Sequence, residues 1–216
     1  MDHKKLLVLC CHGVYHKGGF YADRPIEKEV YEDHIRLAFS TIRQKAYDVL
    51  IISGGYTKPE EEKSEARGYL DWADEIRLDR TDLVILLEEY ARSSVENLLF
   101  SMCRFYQYFG YFPEEVGACT LHWKKEWFEE VIAPCLCLPN FKVLPVEGEA
   151  KKLKEIGARL PNPHEVANKN RADPLEILRG GKVQKRDPWK IRHPYADMKE
   201  FKHLFKRLAT IEYPWL

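Results

Sequence analysis

The chain has 216 residues, 45% of them hydrophobic, enough to bury one substantial core with a smaller appended element and too few for two independent domains. Lys and Arg together number 34, as do Asp and Glu, so no global field exists to recruit nucleic acid or an acidic membrane surface. The opening apolar run, 6–11, is too short and wrongly flanked for a signal peptide or a membrane span, which makes the cytoplasm the expected location.

Short β-rich apolar runs alternate with longer stretches of helical period, the pattern of βαβ units and of a mainly parallel sheet covered on both faces. The first strand is expected over Lys5–Cys10, followed by the loop Cys11-His12-Gly13-Val14-Tyr15-His16-Lys17-Gly18-Gly19. That loop is glycine-rich but has no G-x-G-x-x-G turn, so the dinucleotide fingerprint is absent. Gly13 is a candidate ligand contact there, and His12 a candidate acid, base or ligand, although turn formation alone also accounts for the glycines. Val30, His34, Leu37, Ala38, Thr41, Ile42 and Lys45 recur at three- and four-residue steps and predict a helix over 27–45.

The second strand, Val49–Ser53, runs into Gly54 and Gly55, where the backbone can turn tightly and expose N–H groups to an anion. Ser64-Glu65-Ala66 opens the next helix; capping explains Ser64 and Glu65 as well as function does. A third strand over 83–87 leads into the densest polar cluster, Glu88 to Asn97. Ser93 and Glu96 have the spacing of a capping box, which leaves Glu88, Arg92, Ser94 and Asn97 without a local reason. Asn97 interrupts the apolar stripe of Val95, Leu98, Leu99, Met102, Tyr106 and Phe109, a helix that should end at Gly110.

The fourth strand, 116–120, is followed by Thr120-Leu121-His122-Trp123-Lys124-Lys125, where cations beside a helix start run against the helix dipole and suit a bound anion. A helix around Trp127, Phe128, Val131 and Ile132 and a fifth strand, Lys142–Val146, complete a core of 1–147. From 148 to 216 prolines and Gly180-Gly181 punctuate a charged C-terminal extension. Trp189, Tyr195, Phe201, Leu204, Phe205 and the final Tyr213-Pro214-Trp215-Leu216 are apolar anchors that predict its packing on the core. Cys10, Cys11, Cys103 and Cys119 lie in apolar stretches as reduced core thiols. Cys135 and Cys137 form a lone C-x-C that lacks the second pair of a structural zinc site.

Ser53-Gly54-Gly55 after a strand, then Ser64-Glu65-Ala66, then Glu88 followed by Arg92-Ser93-Ser94-Val95-Glu96-Asn97, resembles the ElyC/SanA/YdcF (DUF218) family over roughly 5–146. Lys185-Arg186-Asp187-Pro188-Trp189 with His193-Pro194-Tyr195, and Glu96 to Ser101, resemble a eukaryotic, fungal-type branch of it. Ala91 and Ser94 depart from the Ser and Thr common in the family. The resemblance implies a Rossmann-like three-layer sandwich, and one bacterial member is associated with S-adenosylmethionine.

The leading expectation is a site for a phosphorylated or otherwise anionic small molecule, with hydrolysis or transfer at phosphorus as its chemistry. Glu65 and Glu88 would act as bases or hold a divalent cation; Gly13, Ser53, Gly54, Gly55, Ser94, Asn97 and Lys124 would bind the ligand. The alternatives are S-adenosylmethionine with Glu88 on its ribose, and a non-enzymatic interaction module built on the aromatic C-terminal segment. Ligand identity and oligomeric state are left open.

Overall fold

In a computed structural model, residues 3–16, 19–20, 25–146, 151, 154, 162, 164, 183 and 186–201 are described. Five strands form one parallel sheet: β1 (Lys5–Cys10), β4 (Val49–Ser53), β5 (Val84–Glu88), β6 (Glu115–Leu121) and β7 (Lys142–Val146). Their spatial order is β5-β4-β1-β6-β7. The chain therefore builds outward from β1 on one side and then crosses back to build on the other, which places a topological switch point beside the carboxyl end of β1. The third strand begins one residue later than its apolar run suggested and ends on Glu88 itself. Two short strands after β1, β2 (Tyr15–His16) and β3 (Gly19–Phe20), pair antiparallel, a hairpin the glycine-rich loop did not announce.

Side chains alternate across each strand, so the sheet has two buried faces. Leu7, Leu9, Leu50 and Ile52 pack under α1 (Pro25–Arg43) and α2 (Glu65–Glu75). Leu6, Val8, Val49, Ile51, Val116 and Ala118 pack under α3 (Ser94–Phe109) and the helical run 122–135. The arrangement is a Rossmann-like three-layer sandwich, with near-continuous apolar strands because neither face meets water.

Helix ends follow their local chemistry. Ser64 caps α2 by accepting from Arg67 N at 2.9 Å, and Ser93 caps α3 by accepting from Glu96 N at 3.2 Å. Gly110 closes α3 at φ 77°, a left-handed conformation that suits glycine. The run 122–135 is irregular: a 3₁₀ turn at His122–Lys124 and a π turn at Phe128–Ile132 separate short α turns. Cys10, Cys11, Cys103 and Cys119 are buried free thiols, as their apolar settings predicted.

Of the C-terminal extension, the stretch 186–201 lies against the core. Tyr195 and Phe201 are buried with α3, whereas Trp189 is partly exposed. Leu204, Phe205 and 213–216, also expected as anchors, lie outside the described residues.

Candidate functional site

Register decides which polar residues meet. Cys10 pairs with Ser53 and Ser53 with Glu88, so three strand ends stand side by side with side chains on one face, the face that α3 covers. Ser53 Oγ lies 2.7 Å from Glu88 Oε2 and 3.1 Å from Asn97 Oδ1. Glu88 also accepts from Tyr90 N at 2.8 Å and Ala91 N at 3.2 Å, with Tyr195 Oη at a long 3.5 Å.

Burial is complete at Glu88 and pushes its carboxyl up to about 8, against the opposing hydrogen bonds from Ser53 and the two backbone amides. Proton counting agrees with a neutral acid. Ser53 has one hydroxyl proton facing acceptor oxygens on both Glu88 and Asn97, and a protonated Glu88 donating to Ser53 leaves that proton for Asn97. Both oxygens of Glu88 are therefore engaged within the protein, leaving neither for a ribose or a cation in this arrangement.

The opposite face carries a separate cluster. Gly54 is wedged between β1 and α2: a Cβ there would stand 2.7 Å from Cys11 Cβ and 2.8 Å from Glu65 Cβ. The N–H groups of Gly54 and Gly55, expected to face an anion, instead donate to Glu88 O at 3.0 Å and Ala91 O at 2.7 Å. Their carbonyls accept from Ala66 N and Glu65 N, each at 3.0 Å, so the first turn of α2 is closed by the same loop. Ser64 Oγ, besides capping, donates to Glu89 Oε1 at 2.8 Å.

Glu65 itself is nearly buried over Gly54 and accepts from Thr57 Oγ1. Burial raises its carboxyl, opposed by that hydrogen bond and then by Arg186, Lys124 and Lys58. Ser94 opens α3 half-buried, and Gly13 is buried in the turn after β1.

Lys124 enters from the carboxyl end of β6, next to β1. Its Nζ stands 3.3 Å from His12 Nδ1 and 5.2 Å from the centre of the Trp123 ring. An ammonium only donates, so His12 Nδ1 is the acceptor and the imidazole proton sits on Nε2. Burial, then the charge of Lys124, holds His12 well below the usual imidazole range. The neutral ring of His12 is thus one of the groups that position Lys124.

His12 stacks on His34 of α1, with ring centroids 5.5 Å apart and planes 15° from parallel. His34 is fully buried, and neither of its nitrogens makes a well-formed hydrogen bond. Burial lowers it to about 4, slightly opposed by the nearby Cys119 carbonyl.

The sequence-derived residues therefore divide into two sets. Ser53, Glu88 and Asn97 form an internal network; Glu65 and Lys124 share a rim near His12. Two residues of interest were not anticipated. His34 carries the same signal as Asn97, a polar side chain within a buried helical stripe, and could have been found by it. Arg186 could not, because its proximity to Glu65 depends on the chain returning across the sheet edge.

Among the described residues no group of three or more His, Cys, Asp or Glu side chains could hold a metal ion. No described helix is long and apolar enough to cross a membrane. A cleft of about 250 Å³ lined by Lys4, Tyr111, Phe112 and Glu114 lies at the opposite, amino-terminal edge, where Lys4 and Glu114 pair at 2.7 Å. Compared with known proteins, the chain matches no family model, no curated protein and no solved structure.

Proposed function

We propose that the protein binds a small anionic ligand at the carboxyl edge of β1 and β6, with Lys124 as the cation that receives it and Glu65 as the group that takes or gives a proton. The observation that carries this reading is Lys124 set 3.3 Å from a neutral histidine at the switch point of an open parallel sheet, where such folds bind ligands. Glu65, raised by burial, suits general acid–base work, and hydrolysis or transfer at phosphorus is the chemistry that joins these two roles. The resemblance to the ElyC/SanA/YdcF family, through Ser53-Gly54-Gly55 and Ser64-Glu65-Ala66, supports the same edge.

A thermal-shift screen with inorganic phosphate, sugar phosphates, nucleotides and S-adenosylmethionine tests it. The melting temperature should rise with phosphate-bearing compounds in a concentration-dependent way, and Lys124→Ala should abolish the rise. Stabilisation by S-adenosylmethionine alone, or shifts that survive Lys124→Ala, would overturn the reading.

A further inference from the structure

The loop 54–64, between β4 and α2, is pinned on either side of Thr57. At its start Gly55 N donates to Ala91 O at 2.7 Å, and Gly55 O accepts from Glu65 N at 3.0 Å. Further on, Lys58 O accepts from Glu61 N at 3.3 Å and from Trp189 Nε1 at 2.9 Å. A carbonyl oxygen has two lone pairs, so both bonds form together. Trp189 belongs to the stretch 186–201, which crosses the carboxyl edge of the sheet as a strap. Asp187 holds that strap on Arg92 at 2.7 Å, and Tyr195 holds it on Phe100 of α3, with ring centroids 5.1 Å apart.

Thr57, next to Lys58 in the chain, connects these anchors to the site. Its hydroxyl donates to Glu65 Oε1. The other oxygen, Oε2, lies over Gly54, 3.0 Å from where a Cβ would stand, and takes no hydrogen bond among the described residues. The carboxyl is thus oriented by one donor and by the space a missing side chain leaves, with one oxygen engaged and one open. A hydroxyl that donates to a carboxylate favours its ionised form, against the burial that opposes ionisation.

We infer that Thr57 is a positioning residue for Glu65, that it leaves Oε2 as the oxygen that exchanges the proton, and that the strap keeps Thr57 in place through the indole of Trp189. This rests on the proposed function in taking Glu65 as the proton-transferring group, and deepens it by naming what regulates that group. Two hydrogen bonds and one peptide link join the strap to the carboxyl. Losing the indole donor frees the far end of the loop and lets the Thr57 hydroxyl leave Oε1.

Titration of the Glu65 carboxyl in the full chain reads these contacts directly, by carbon NMR of protein labelled at the glutamate side-chain carboxyl, with Glu65→Gln to assign the resonance. Cys11, Lys58, Tyr69, Lys124 and Arg186, the charged and titratable groups that bear on Glu65, are the same in every variant compared. Thr57→Val keeps the side-chain shape and removes the donor; it should raise the midpoint by about one pH unit, and Thr57→Ser should restore it. Trp189→Phe keeps a ring and removes the N–H; it should raise the midpoint by less, and add nothing in the Thr57→Val background. An unchanged midpoint in Thr57→Val, or a raised one in Thr57→Ser, would overturn the positioning role. A Trp189→Phe shift of equal size in both backgrounds, or none in either, would overturn control by the strap. If the midpoints move as expected while phosphate-bearing compounds fail to stabilise the wild-type protein, the proposed function falls and the positioning of Glu65 by Thr57 stands.

Discussion

Replacing Glu88 by Gln should change how stability depends on pH more than it changes stability itself. The folded carboxyl is raised from 4.5 to about 8 by burial, so between those values the unfolded chain has released a proton that the folded protein keeps. Stability must then fall as pH rises through that window and level off above it. At about 1.4 kcal/mol per pH unit the gap corresponds to a ceiling of about 5 kcal/mol, an order-of-magnitude figure.

Gln is neutral at every pH and removes this dependence. Its amide costs something locally, because Tyr90 N and Ala91 N donate to the two different oxygens of Glu88 and one of those donors would face the NH₂. That loss is about 1 kcal/mol. The variant should therefore be slightly less stable than the wild type at pH 5, and more stable at pH 8.5. Urea unfolding of both proteins from pH 5 to 9 reads the difference directly, and other titrating groups cancel in the comparison. A wild-type-minus-variant difference that stays constant across that range would refute the neutral, buried acid.

Two further perturbations probe the scaffold of the same edge. Gly55→Ala should destabilise by about 2–4 kcal/mol in chemical denaturation, because its Cβ would lie 2.7 Å from Ala91 O and 2.9 Å from Tyr90 C, backbone atoms that cannot swing aside; a loss under about 1 kcal/mol would show that the loop has room. His34 titrates at about 4 when folded against 6.5 ordinarily, so its contribution is present above 6.5 and lost as pH falls towards 4, by about 3 kcal/mol at most. His34→Phe should shallow the acid side of the stability profile, and an unaltered acid slope would remove His34 from that account.

Local chemistry made much of this protein legible before any coordinate. The five strands were visible as apolar runs because a parallel sheet covered on both faces excludes water along its whole length, and Val49–Ser53 and Lys142–Val146 have the bounds read from those runs. Ser64, Ser93 and Gly110 were legible as helix ends because capping is settled within three or four residues of chain. Asn97 was legible as an anomaly, a poor helix former in an apolar stripe, but the stripe says only that it faces inward. What it meets there, Ser53 Oγ, lies 44 residues away.

Everything that depends on such distant pairs was decided by the tertiary structure. The expectation of free N–H groups at Gly54 and Gly55 followed from the flexibility of glycine, yet the partners that take them, Glu88 O and Ala91 O, are brought there by the pairing of β4 with β5. Glu65 and Glu88 read as equivalent acids in the sequence; the first opens α2 on one face of the sheet, strand alternation turns the second under α3 on the other, and only the second disappears wholly into a network. His12 beside Lys124 joins residues 112 apart, and Arg186 reaches the same rim only because Asp187 and Trp189 are anchored on loops after two different strands. Periodicity encodes which face of an element is apolar, a property of neighbouring residues; it carries no record of strand order or register, which the sheet settles by burying all its faces at once and which alone determines the side chains that share an edge.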